Sequence, residues 1–194
     1  MLLTKTIKVI FWGDGGVGKT SIIKRFLYNV FEGESIKSTY GLEVYTKMLS
    51  IGGRKIYIAF WDFGGQPQFR SVVRVLARGI DIFVFVFDLS DPDALAQERI
   101  QPLLSAIGSV LQNSKIPKIL VGSKTDLPRV IFDDDILDFM MSYKFDDYFE
   151  VSAKNGENIQ ALFDRIFQFV TEIIFHDKSV KSSDKKYNFN RVTL

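Results

Sequence analysis

Ile7-Lys8-Val9-Ile10-Phe11-Trp12-Gly13-Asp14-Gly15-Gly16-Val17-Gly18-Lys19-Thr20 joins an apolar run to a loop of four glycines that ends in a lysine and a hydroxyl. Residues 13–20 fit the pattern G-x-x-x-x-G-K-[ST]. The flanks fit as well, because a strand-like run precedes the loop and a helical segment, Ser21–Asn29, follows it. Glycines let a backbone wrap closely around a polyphosphate and aim successive N–H groups at its oxygens. The helix that follows presents its positive end to the same charge. Asp14, Gly15, Gly16, Val17, Gly18, Lys19, Thr20 and Ser21 are therefore the expected phosphate contacts. Lys19 is placed to reach the β- and γ-phosphates, and the Thr20 hydroxyl to ligate Mg²⁺. A plain strand-to-helix turn needs neither four glycines nor the lysine in this order. The loop specifies a nucleoside triphosphate and leaves the base open.

Further short runs of β-branched and aromatic residues recur at Lys55–Trp61, Asp81–Phe87, Lys118–Val121 and Tyr148–Val151. They are continuous rather than alternating, as in strands covered on both faces of a parallel sheet. Ile159, Leu162, Phe163, Ile166, Phe167, Val170, Ile173 and Ile174 form a helical stripe, with Asp164, Arg165, Gln168 and Glu172 opposite. Leu42–Ile51 and Arg54–Phe60 are separated by Gly52-Gly53, a two-residue hairpin signal. The expectation is an α/β doubly wound domain, mostly parallel, with one antiparallel pair.

Composition narrows the function classes. The absence of cysteine excludes disulfides, thiolate metal sites and cysteine nucleophiles. No apolar run approaches the ~20 residues that cross a bilayer, the start lacks a signal-peptide pattern, and a cytoplasmic location is expected. Net charge is +2, with five basic and two acidic residues from Asp177 onward, so that the preceding chain carries −1. That near-neutral body argues against nucleic acid as the partner. Residues 1–176 read as one domain, and 177–194 as a polar, basic, flexible tail. Without cysteine, and with Leu2 where myristoylation needs Gly, no lipid anchor is expected. At most the tail makes weak electrostatic membrane contact.

The remaining motifs carry a specific resemblance. Trp61-Asp62-Phe63-Gly64-Gly65-Gln66, Ser123-Lys124-Thr125-Asp126 and Ser152-Ala153-Lys154 follow successive apolar runs. Together with the phosphate loop they resemble, in order and spacing, the motifs of Ras-superfamily small GTPases, over about residues 5 to 176. The W-D-x-G-G-Q form is most like Arf and Roc domains, and Ser38-Thr39-Tyr40-Gly41 resembles the Rab-type T-I-G. The resemblance implies a P-loop NTPase three-layer sandwich with about six strands and about five helices, a monomer that binds GTP or GDP with Mg²⁺. It assigns Thr20, Thr39 and Asp62 to the metal. It has the Gly65 N–H sense the γ-phosphate and Gln66 orient the attacking water. Phe31 would pack against the base edge, Lys124 cover its face, and the Ala153 N–H meet its O6.

Asp126 is the residue that would choose guanine. A carboxylate accepts two hydrogen bonds, and guanine offers N1–H and N2–H₂ side by side where adenine does not. Two departures stand out. Ser123 replaces the usual Asn, with one donor instead of two and an expected loss of about 1 kcal/mol in binding. Pro67 replaces the usual Glu after Gln66 and stiffens the second switch, Phe63 to Arg78. The only cation in the first switch, Phe31 to Leu42, is Lys37. An arginine for charge stabilisation would then have to come from a partner. Effectors, exchange factors and activating proteins are the expected partners, through both switches. Two rivals are a poorly hydrolysing guanine-nucleotide scaffold, against which Gln66 argues, and an adenine-using P-loop kinase, against which Asp126 and Lys154 argue.

Overall fold

A computed structural model describes residues 5–33, 41–65, 73, 75–108, 112–113 and 115–176. Six strands form one sheet: β1 (Lys5–Trp12), β2 (Leu42–Ile51), β3 (Arg54–Phe63), β4 (Ile82–Asp88), β5 (Lys118–Ser123) and β6 (Asp147–Val151). Their spatial order is β2-β3-β1-β4-β5-β6, and all neighbours are parallel except β2 and β3. The Ile51↔Arg54 pairing leaves Gly52 and Gly53 as a two-residue turn. Both have positive φ, 55° and 74°, which the tight turn demands.

Among the described residues four helices are delimited: α1 (Lys19–Tyr28), α2 (Gln97–Ala106), α3 (Asp133–Tyr143) and α4 (Ile159–His176). This is one fewer than the sequence suggests. Val73, Val75 and Leu76 are also helical, beside residues outside the description. The tail, residues 177–194, lies outside it as well.

The continuous apolar runs reflect two cores, one on each face of the sheet. Ile7, Val9 and Phe11 of β1 point with Ile82, Val84 and Val86 of β4 toward α1 and α4. Ile10, Trp12, Phe83, Phe85 and Phe87 point the other way, toward α2 and α3. This is the three-layer arrangement, and it explains why alternation is absent from the central strands. On the first face Phe163 stacks on Phe26 at 3.8 Å and meets Phe60 edge-on at 5.4 Å. Those rings fix α1 and α4 against the sheet.

Parallel strands bring their carboxyl ends to one edge. β1 lies between β3 and β4, so the order of the sheet reverses at its carboxyl end. A crevice opens at such a point, and ligands of α/β sheets lodge there. The glycine loop begins at this place, and the loops after β3, β5 and β6 flank it.

Candidate nucleotide site

Gly13 starts the loop at φ 150°, and a Cβ there would overlap the Val86 carbonyl of β4. The loop is thus pressed onto the sheet at its first residue. Gly16 and Gly18 also take positive φ, 75° and 97°, and Gly18 caps the N-terminus of α1. Lys19 is 5% exposed, and its Nζ donates to the Gly13 carbonyl at 3.1 Å and the Asp14 carbonyl at 2.6 Å. Burial pulls its pKa down to about 8, against the pull of the Asp62 and Asp14 carboxylates.

Thr20, the next residue of α1, donates its hydroxyl to Asp62, which is fully buried at the end of β3. A hydroxyl and a carboxylate in contact are hard oxygen donors. Among the described residues no group of three or more His, Cys, Asp or Glu could hold a metal. A pair of oxygen ligands suits an ion that takes few protein ligands and completes its shell with phosphate and water, as Mg²⁺ does. Thr39, the third expected ligand, lies outside the described residues, as does Gln66. Gly65 is described, and a Cβ there would overlap Gly15 N and Asp14 C, so the start of the second switch lies directly on the phosphate loop. The Gly64 N–H donates to the Gly41 carbonyl at 2.8 Å, which links the two switches beside it.

The opposite side, built by the loops after β5 and β6, is equally constrained. Asp126 Oδ1 accepts from the Ser152 hydroxyl at 2.5 Å, and Lys154 Nζ stands 3.6 Å from Oδ2. Each oxygen keeps a further lone pair for a ligand. Ser152 is fully buried behind this carboxylate. Lys124 takes φ 65°, a conformation that costs a non-glycine residue about 1 kcal/mol. Its Nζ pairs with Asp88 at 2.6 Å. Burial opposes ionisation of Asp88, but hydrogen bonds from Lys124 and Ser90 outweigh it and hold its pKa below the usual carboxylate value.

Ser123 has a larger part than its size suggests. Its buried hydroxyl lies 2.6 Å from the Val17 carbonyl and 2.9 Å from the Phe87 carbonyl. One proton serves both acceptors, and through it the end of β5 is joined to the glycine loop and to β4. The Val17 side chain belongs to the core, and its carbonyl makes this link.

A cavity of about 640 Å³ runs between the two sides. Gly15, Gly16, Gly18, Lys19, Thr20, Ser21 and Gly65 line one end, and Ser123, Lys124, Asp126, Ala153 and Lys154 the other. Phe31, 39% exposed, lines the same space. Asp14 turns its carboxylate away, to Arg99. Four further residues escaped the sequence reading. Arg25 of α1 donates from Nε to the Ala153 carbonyl at 2.6 Å and from Nη2 to the Lys154 carbonyl, drawing the S-A-K loop toward the helix. Asp88 holds Lys124, Arg99 holds Asp14, and Leu127 adds an apolar wall. Only Leu127 carried a signal, as the residue after the motif at 123–126.

The Ras family model matches residues 8–172. The chain belongs to the Ras family. Among similar proteins, Ras-related protein RABG3d of Arabidopsis thaliana is 35% identical over 167 residues, covering 82% of this chain and 80% of its own. The Ypt/Rab-type GTPase ypt7 of Pyricularia oryzae is 34% identical with the same coverage. Ras-related protein Rab-18 of Caenorhabditis elegans is 28% identical over 168 residues, 86% of this chain and 81% of its own. This Ras-family chain is thus a small GTPase of the superfamily. Its likeness to Rab proteins coexists with the W-D-x-G-G-Q segment that resembles Arf and Roc. Among its described residues no helix is long and apolar enough to cross a membrane.

Removing the Ser123 hydroxyl leaves two buried carbonyls to share one lost donor. Ser123→Ala should therefore weaken nucleotide binding by about 1–2 kcal/mol, roughly 5- to 30-fold. The dissociation rate of a fluorescent GDP should rise by that factor, with little change in secondary structure by circular dichroism.

Proposed function

We propose that this small GTPase is a guanine-nucleotide switch that binds GTP or GDP with Mg²⁺ and hydrolyses GTP slowly. The single observation behind the reading is one cavity with a buried lysine under a glycine loop at one end and an oriented carboxylate, Asp126, at the other. The Asp126 oxygens accept from guanine N1–H and N2–H₂, Lys124 covers the base, and the loop amides with Lys19 take the phosphates. Thr20 and Asp62, with Thr39, would hold Mg²⁺. The ion, when bound, neutralises charge on the β- and γ-phosphates.

Phosphoryl transfer needs little from the protein beyond alignment and charge stabilisation. Lys19 leaves the Gly13 and Asp14 carbonyls for the β- and γ-phosphate oxygens and balances the charge that develops there. Gly65 lies on the phosphate loop, where its N–H meets the γ-phosphate. Gln66, the next residue, orients the attacking water. Loss of the γ-phosphate releases the Gly65 contact, and the Gly64–Gly41 link passes that release to the first switch. Effectors, exchange factors and activating proteins read the two switches.

Asp126→Asn turns an acceptor pair into one acceptor and one donor. GTP affinity should fall by about 3 kcal/mol, roughly a hundredfold. Xanthosine triphosphate, which presents a carbonyl in place of the amino group, should bind the variant better than GTP does. Equal GTP affinity for parent and variant would remove Asp126 from the base site.

Single-turnover phosphate release separates a switch from a scaffold that barely hydrolyses. With no arginine in the first switch, the parent should turn over at about 10⁻⁴ to 10⁻³ per second. Gln66→Leu should be at least about tenfold slower, with nucleotide affinity near that of the parent. A variant as fast as the parent would place the water on another group.

A further inference from the structure

We propose that Arg99 sets the preference between nucleoside triphosphate and diphosphate by neutralising Asp14 at the phosphate loop. The inference rests on the nucleotide reading above and adds a positioning residue to it.

Asp14 is the second residue of the loop; its carboxylate points out of the cavity to Arg99 and bears on a bound polyphosphate through its charge rather than by contact. Its Oδ1 accepts from the Gly15 N–H at 2.8 Å, and its Oδ2 accepts from Arg99 Nε at 2.6 Å. Arg99 lies in the first turn of α2, 85 residues away in the chain. Its second nitrogen, Nη1, pairs with Asp91, in the loop between β4 and α2. One guanidinium therefore joins the loop after β4 to the phosphate loop, in the fixed fork geometry that distinguishes arginine from lysine. The bond to Asp14 raises the Arg99 pKa despite the cost of burial, and Asp91 adds to the effect.

The pair lies behind the stretch of loop that Gly65 meets, the end that the nucleotide reading gives to the γ-phosphate. Gly65 packs so closely on the Asp14–Gly15 peptide that a Cβ would overlap it. The same carboxylate also acts on the Lys19 ammonium, which must turn from the loop carbonyls to the phosphates. A triphosphate carries more negative charge than a diphosphate, and the extra charge lies at this end. An uncompensated Asp14 would repel the triphosphate more than the diphosphate, and it would hold Lys19 back. Arg99, which it shares with Asp91, offsets both effects. A bond that only stabilised the loop would help the two nucleotides alike.

The test compares affinities for GDP and for a non-hydrolysable GTP analogue, with Mg²⁺, on the nucleotide-free full chain. Arg99→Gln should lower the analogue-to-GDP affinity ratio about three- to tenfold, a modest factor because the side chains are about one-third exposed. Arg99→Lys, which keeps the charge, should shift it less. Asp14→Asn alone should raise the ratio, and the double variant should return to within about twofold of the parent. All shifts should shrink with added salt. An unchanged ratio in both Asp14→Asn and Arg99→Gln overturns the proposal, as does a double variant that behaves like Arg99→Gln. If Arg99→Gln fails to fold, Asp14→Asn decides alone. A parent that binds neither nucleotide overturns the nucleotide reading instead.

Discussion

The Lys19 ammonium, enclosed where β1 hands over to α1, dictates what the cavity can hold. A buried cation satisfied by carbonyl dipoles is poorly solvated, and the fall of its pKa to about 8 expresses that cost. An anion in the cavity relieves it. The surrounding loop has the same bias, since its amides and the N-terminal end of α1 favour negative charge. The glycines follow from this arrangement. Gly13 must press against the Val86 carbonyl, and Gly65 against the loop itself. Neither approach leaves room for a side chain.

The second constraint is the distance between phosphate and base. In a mononucleotide the base and the polyphosphate are joined through a single ribose, so a protein that reads both ends must hold its two reading loops within that short span. Here the bolts are few. The Ser123 hydroxyl reaches the Val17 carbonyl, Arg25 reaches the carbonyls of the S-A-K loop, and Lys124 is tethered to Asp88. Each joins segments far apart in sequence, and each is buried or half-buried, where a hydrogen bond excludes alternatives rather than merely adding energy.

The strands were legible because their surroundings are uniform. β1, β4 and β5 are covered on both faces, so a run of apolar residues was enough. Gly52-Gly53 announced the hairpin, and the Ile159–Ile174 stripe announced α4. Two helices gave no such sign. α2 carries Pro102 in its interior, and α3 opens on three aspartates, so composition masks both. The site divides in the same way. Its motifs at 13–20, 61–66, 123–126 and 152–154 stand out in the sequence because each is contiguous. Arg25, Asp88 and Arg99 could not, because each matters only through a residue that the fold brings to it. Asp88 ends a strand whose apolar run stops at Phe87, and Arg99 is one charged residue in an unremarked helix. In the sequence Ser123 is a weaker stand-in for asparagine, with a single donor, and its two carbonyl partners emerge only in three dimensions.

The proposed function puts polyphosphate at Lys19 and guanine at Asp126, at the two ends of one cavity. Calorimetric titration of the nucleotide-free protein with GDP and with ADP, each with Mg²⁺, tests that claim most directly, since the two ligands share every phosphate contact and differ in the base. Binding of GDP at least about a thousandfold tighter than ADP is the predicted result, as a carboxylate left unpaired by adenine requires. Equal affinities would contradict it, and would mean that Asp126 does not face the base.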